Sequence, residues 1–181
     1  VAAQRVAEVL GGAGSGGEAV RRDAVEKLAE RQFEVVARGQ VHESTAVAWT
    51  FLDLAPVALY LSEADVTELV SPAIAVDAIE ACFLRMAAGA VEIAPRRRLP
   101  LTAGVLADMA AADTELGLAG GKLYAATTVA TTFVVCVFDA ESSELVAVLE
   151  ADRLGQLRTG AASGVAARHL ARSGASRLGV I

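Results

Sequence analysis

The sequence predicts an α/β fold, and three observations carry that reading. Apolar spacing is helical up to Gly89 and extended after it, in runs joined by short polar or glycine-bearing turns. A helix rich in small residues, a glycine turn and the apolar stretch SRLGVI then follow, the order in which a βαβ unit of a parallel sheet is entered. Hydrophobic residues make up 54% of the chain and aromatics only 4%, so the core is built from Ala, Val and Leu in close contact.

Residues 1–57 differ in character from the remainder. GGAGSGG reads as a flexible linker: it lacks the GK[ST] ending of a phosphate loop and follows a helical pattern. AVRRDAVEKLAERQFEVVARG aligns Val20, Ala24, Leu28 and Val36 on one helical face, and STAVAWTFLDLAP is a strand or a short helix closed by Pro56. His42 has no partner at metal-ligand spacing and reads as a loop histidine.

From Leu59 the punctuation sharpens. Ser62 and Asp65 form a capping box for a helix over SEADVTELV, and Ser71-Pro72 opens PAIAVDAIEACFLRMAAG. Ile74, Ala78, Cys82 and Met86 recur every four residues along that second helix until Gly89 ends it, so two capped helices are expected before the first strand. VEIAPRRRLPL, GVLADM and LAGGKLYAAT then read as strands, with TTFVVCVFD and ELVAVLEA as a hairpin around DAESSE. FVVCVF is apolar throughout, which predicts a strand covered on both faces. The next helix, ADRLGQLRTGAASGVAARHLARSG, has Asp152 as cap and Gly174 as terminator, and SRLGVI follows as a strand.

The chain is 181 residues long with formal charge −6 and pI about 5.0, which removes the electrostatic reason to expect nucleic acid or an anionic membrane as partner. No apolar run approaches the ~20 residues that span a bilayer, and a signal peptide is not evident, so a cytoplasmic location is expected. Cys82 and Cys136 read as reduced core residues. Nothing in the spacing calls for a metal, and GxSxG, HExxH, Walker A and GxGxxG are all missing from the chain.

Candidate chemistry rests on cations. Arg96, Arg97 and Arg98 lie in an extended segment, so alternation sends Arg96 and Arg98 to one face and Arg97 to the other; either a carboxylate-binding fork or a charge-guarded edge strand accounts for them. Lys122 is a single cation inside an otherwise uncharged strand, a costly place for a lysine unless it is paired or used. Arg158-Thr159, near the start of a helix, suits an anion, and a surface arginine is the alternative. His169 at the far end of that helix reads as a surface residue facing the helix dipole.

Taken in order, the stretch from LYLSEADV through APRRRLPL, GVLADM, GGKLYAAT and LRTGAASGVAARHLAR to SRLGVI resembles the ornithine cyclodeaminase/mu-crystallin family. The resemblance implies an α/β substrate-binding and dimerisation domain over 58–151. Residues 152–181 would supply the linking helix and first strand of a Rossmann domain, incomplete here because its glycine-rich turn and catalytic aspartate lie further on. A chain of this extent is then expected to be inactive alone. Residues 1–57 match nothing in the family and stand as an extension of unknown role.

By the same resemblance Arg96, Lys122 and Arg158 gather around the carboxylate of an amino or imino acid, Lys122 also assists catalysis, and Thr159 contacts the phosphates of NAD or NADP. The implied protein is a homodimeric NAD(P)-dependent oxidoreductase or deaminase working through an imine; a non-catalytic dinucleotide-binding protein of the mu-crystallin kind is the alternative. Ala107 stands where cyclodeaminases carry the glutamate that meets a side-chain amine, and Asp108 is expected on the opposite face, which favours a dehydrogenase or ketimine reductase. Met109-Ala110 replaces the family's Met-Pro, while Gly120-Gly121 and the loop TTVATT also depart from its pattern.

Overall fold

The structure, a computed structural model, describes residues 58–179. The expected linker, the helix at AVRRDAVEKLAERQFEVVARG, His42 and the STAVAWTFLDLAP segment fall outside the described residues, as do Val180 and Ile181. The described chain runs β1 (Leu59–Leu61), α1 (Glu63–Leu69), α2 (Pro72–Ala87), β2 (Val91–Ile93), β3 (Arg97–Leu101), β4 (Gly104–Asp113), β5 (Leu118–Thr127), β6 (Thr131–Asp139), β7 (Leu145–Glu150) and α3 (Asp152–Leu170).

The caps of the first two helices form as their sequences dictate. Ser62 Oγ accepts from the Asp65 N–H at 3.3 Å while Asp65 Oδ2 accepts from the Ser62 N–H at 2.9 Å, a complete capping box. Ser71 Oγ accepts from the Ile74 N–H with Pro72 in the first turn, and Gly89, at φ 78°, turns the chain out of α2.

The strands form one seven-stranded sheet in the order β1-β7-β6-β5-β4-β2, with β3 also paired to β4. Only β1 is parallel to its neighbour, β7; the other pairs are antiparallel. Two expectations change at the edges. A strand precedes the helices, because Leu59 and Leu61 bury themselves with Val66, Leu69, Val146 and Ala147 in the main core. VEIAPRRRLPL is two strands rather than one: the Ala94 N–H still donates to the Ala110 carbonyl at 2.9 Å, but Pro95 has no N–H to give the ladder, so regular pairing with β4 lapses at Pro95 and Arg96 and resumes at Arg97. β4 extends through Asp113, beyond the expected GVLADM.

β6 runs inside the sheet between β5 and β7, but it is not covered on both faces. Phe133 to Val137 are half-buried and Phe138 is exposed. Helices cover one side; residues on the other, including Leu99, Leu101, Leu123 and Phe138, are exposed. Cys82 and Cys136 are free thiols, each half-buried.

α2 packs on α3 through a different stripe from the expected one. Ala75 is buried against Leu157 and Ala161, with Val76 and Ile79 packed around them, whereas Ala78 and Met86 are exposed. The partner helix decides this rotation: a Cβ at Gly164 would lie 3.1 Å from Val76 Cγ2, so the small-residue face of α3 receives Val76. Arg168 and His169, in the last turn of α3, clasp α2 by pairing with Glu80, and Arg168 also reaches Asp77 at 3.3 Å. The Glu80 carboxyl is held below its usual 4.5 by the hydrogen bond from His169 first and then by Arg168.

The expected ends of α3 also shift. Its N-cap is Ala151, not Asp152, and the helix ends at Leu170, with Gly174 in a turn further on. Residues 176–179 of SRLGVI carry no regular structure; a strand is defined by its ladder, and no described strand pairs with them. No helix among the described residues is long and apolar enough to cross a membrane.

Leu61 is 4% exposed at the point where β1 meets α1. Leu61→Ala is expected to lower stability by roughly 2–5 kcal/mol, from lost transfer energy plus the cavity left behind, as read from urea unfolding midpoints.

Candidate functional site

The site grows from β5. Alternation turns Lys122 toward the helix-covered side of the sheet, together with Tyr124 two residues on and with Phe133, the cross-strand partner of Tyr124. The two rings lie 5.2 Å apart, tilted by 39°, and form a shelf under the ammonium. Lys122 Nζ is 4.3 Å from the Phe133 centroid and 5.5 Å from that of Tyr124, close enough for the ring faces to attract the charge.

Arg96 reaches the same shelf from the break between β2 and β3. Its guanidinium carbon stands 6.0 Å from the Tyr124 centroid and its Nε donates to Met109 Sδ at 3.4 Å; Met109 is the cross-strand partner of Lys122. Its neighbours do other work. Arg97 pairs with Asp108 at 2.9 Å on the opposite face, as an edge-strand charge, and Arg98 is exposed. Asp108 is therefore turned away from Lys122, as alternation requires, and Ala107 is 1% exposed beneath the shelf side.

α3 closes the third side. Gly155 sits so near Lys122 that a Cβ there would lie 3.7 Å from Nζ, and Arg158 follows one turn later. Thr159 is exposed, and its hydroxyl donates to the Gly155 carbonyl at 2.7 Å. Sequence reasoning missed Phe133, Tyr124 and Gly155. The two-residue spacing of Lys122 and Tyr124 and the four-residue spacing of Gly155 and Thr159 were the available signals.

The electrostatics follow from this packing. Burial pushes the Lys122 ammonium below its usual 10.5, and the positive charges of Arg158 and then Arg96 push the same way; Asp152 opposes them. No carboxylate among the described residues forms an ion pair with Arg96, Lys122 or Arg158. Three cations held together with no described ion-paired carboxylate, and only the weaker opposing charge of Asp152, can receive an anion, and two guanidinium forks plus an ammonium match the geometry of a carboxylate. The Gly120-Gly121 pair has a different origin: a Cβ on Gly120 would lie 2.7 Å from the Cys136 carbonyl oxygen, so that glycine answers close approach of β5 and β6.

Fold and site together define a mixed α/β protein with a cluster of cations on the helical side of its sheet. The ornithine cyclodeaminase/mu-crystallin family profile matches residues 57–181, and the chain belongs to that family. A probable ornithine cyclodeaminase from Bordetella pertussis Tohama I is 28% identical, with TM-score 0.61 over 64% of this chain and 37% of its own. An archaeal alanine dehydrogenase dimer with bound NAD is 30% identical, TM-score 0.61, over 66% of this chain and 39% of its own. The iminosuccinate reductase of Paracoccus denitrificans, solved with NAD+, is 26% identical, TM-score 0.63, over 65% of this chain and 39% of its own. The chain thus spans less than two-fifths of the length of these solved relatives. Among curated protein sequences none matches.

The chain has two lysines, Lys27 and Lys122, so 13C-lysine NMR resolves the site directly, with Lys122→Arg assigning its signal. Lys122 is expected to titrate below 10.5, and affinity for a carboxylate to fall as pH rises through that lowered midpoint, because deprotonation removes the charge the anion binds.

Proposed function

We propose that this chain is the substrate-holding part of an NAD(P)-dependent oxidoreductase or deaminase that acts on an α-amino or α-imino acid through an imine. The observation that carries the reading is the convergence of Arg96, Lys122 and Arg158, none of them ion-paired to a described carboxylate. Alanine dehydrogenase and iminosuccinate reductase among the solved relatives support an amino- or imino-acid substrate and a nicotinamide cofactor.

In this reading Arg96 and Arg158 hold the substrate carboxylate, which fixes the adjacent α-carbon and removes much of the entropy of alignment. Lys122 adds a third donor in its ammonium form. Its lowered pKa also lets it hold or release a proton near the imine nitrogen as the amine becomes an imine. The aromatic shelf of Tyr124 and Phe133 keeps one side of the ammonium away from water, which strengthens its pull on an anion.

Thr159 is the described residue that fits a dinucleotide phosphate: it is exposed beside Arg158, and rotation away from the Gly155 carbonyl frees its hydroxyl proton for an anion. A nicotinamide dinucleotide would supply the hydride acceptor for the α-carbon. Buried Ala107 offers no group for a substrate's side-chain amine, which favours a dehydrogenase or ketimine reductase over a strict cyclodeaminase.

Pairing with a second copy forms part of the same proposal. Leu123 is 49% exposed and Leu99 60% exposed on the side of the sheet away from the helices, and the archaeal relative is described as a dimer. Leu123→Asp is expected to convert a dimer into a monomer in sedimentation velocity while leaving the Lys122 side intact; an unchanged assembly would remove this face from the interface.

Pyruvate, an α-keto acid, tests the clamp in calorimetric titration. Arg158→Ala is expected to weaken binding about tenfold or more, the loss of a charge-assisted hydrogen bond of roughly 1.5–3 kcal/mol. Wild-type affinity in that variant would take Arg158 out of the site.

A further inference from the structure

α3 carries Arg158 and Thr159, yet it starts without a cap of its own, because the Ala151 side chain has no hydrogen-bonding atom. Its first N–H groups are met from another element. Glu63 Oε1 accepts from the Asp152 N–H at 2.6 Å and Oε2 from the Arg153 N–H at 2.9 Å. Glu63 is the first residue of α1, and its own N–H donates to Glu150 Oε2 at 2.8 Å, at the end of β7. Glu150 Oε1 in turn accepts from the Tyr60 hydroxyl at 2.8 Å, from β1. Two carboxylates therefore join β1, α1, β7 and α3. The Glu63 N–H first, and the Tyr60 hydroxyl second, hold the Glu150 carboxyl below its usual range, so that it is ionised at neutral pH.

A two-pronged contact fixes both where α3 begins and how it is rotated. Gly155, in that same first turn, donates its N–H to the Ala151 carbonyl, accepts from Thr159 through its own carbonyl, and lies against Lys122 Nζ. The turn that Glu63 anchors is thus the turn that touches the ammonium and leads into Arg158.

We propose that Glu63 is a positioning residue for the cation cluster: its carboxylate sets how closely α3 approaches Lys122, and with that the spacing between Arg158 and Lys122. The consequence for ligand binding rests on the carboxylate-binding role proposed above; the effect on Lys122 does not. If the anchor is lost, α3 withdraws, and both the burial of Lys122 and the repulsion from Arg158 decline. Each change raises the Lys122 pKa toward 10.5. Asp152 withdraws on the same turn and acts in the opposite direction, but it is the smallest of these influences; Arg96, on the strand side, is unaffected.

The test uses the full chain with Glu63→Ala and Glu63→Gln, reading the Lys122 midpoint by 13C-lysine NMR and pyruvate affinity by calorimetry. Glu63→Ala is expected to raise the midpoint toward 10.5 and to weaken pyruvate binding severalfold at fixed pH. Glu63→Gln keeps one acceptor oxygen and is expected to give a smaller rise. A lower melting temperature with an unmoved Lys122 midpoint would overturn the proposal, since an ordinary structural cap does that much. Should Glu63→Ala fail to fold, the Glu63→Gln midpoint decides: a rise supports the role, and no change overturns it. A wild-type chain that binds no pyruvate sinks the carboxylate reading, while the midpoint comparison still decides the role of Glu63.

Discussion

Parallel pairing of β1 with β7 holds together two parts of the described chain that lie far apart in sequence. Leu59 and Leu61 enter the core through it, and Tyr60 between them presents its hydroxyl to Glu150. The start of α1 is consequently laid beside the start of α3, which lets a carboxylate on one helix satisfy the open N–H groups of the other. The placement of α3 over the sheet follows from that contact, and the placement of Arg158 follows from α3. Three residues of strand thus bear on a site whose lysine is three strands away in the sheet order.

The site itself is a balance of unfavourable charge proximity against local compensation. Lys122 is partly desolvated and repelled by two guanidinium groups, yet the chain gives it aromatic ring faces and the opposing charge of Asp152 instead of an ion-paired carboxylate. Elsewhere in the same domain arginines are neutralised directly: Arg85 by Asp113 at 2.7 Å, Arg97 by Asp108, and Arg168 by Asp77 and Glu80. Among the described residues Arg96, Lys122 and Arg158 have no such ion pair, and of these Lys122 is the one whose burial makes that costly.

Much of this was legible in the sequence where local chemistry dictates the outcome. Ser62 with Asp65, Ser71 with Pro72, and Gly89 define helix ends through short-range hydrogen bonds or a positive φ. The spans LAGGKLYAAT and TTFVVCVFD emerged as written, because polar or glycine-bearing turns bound them on both sides. What escaped depends on residues distant in the chain. The helix stripe around Ile74 and Ala78 looked right as a period, but Gly164 on another helix selects the neighbouring stripe through Val76. Asp152 looked like a cap by type, whereas the cap arrives from Glu63. Arg96 was identified as a candidate by alternation and resemblance, but its route to Tyr124 passes through a break that Pro95 imposes.

That break has a consequence for how the two cations are held. Arg96 is held between two short ladders on the same partner strand, and the register shifts by one residue across it, from Ile93 facing Ala111 to Arg97 facing Asp108. Lys122 is fixed by the strongest part of the sheet, with ladder partners on both flanks. One cation thus sits at an irregularity of the ladder and another within an unbroken stretch of it. The reach of the guanidinium therefore depends on the backbone at Pro95 and Arg96, whereas the lysine depends on a strand that this irregularity does not touch.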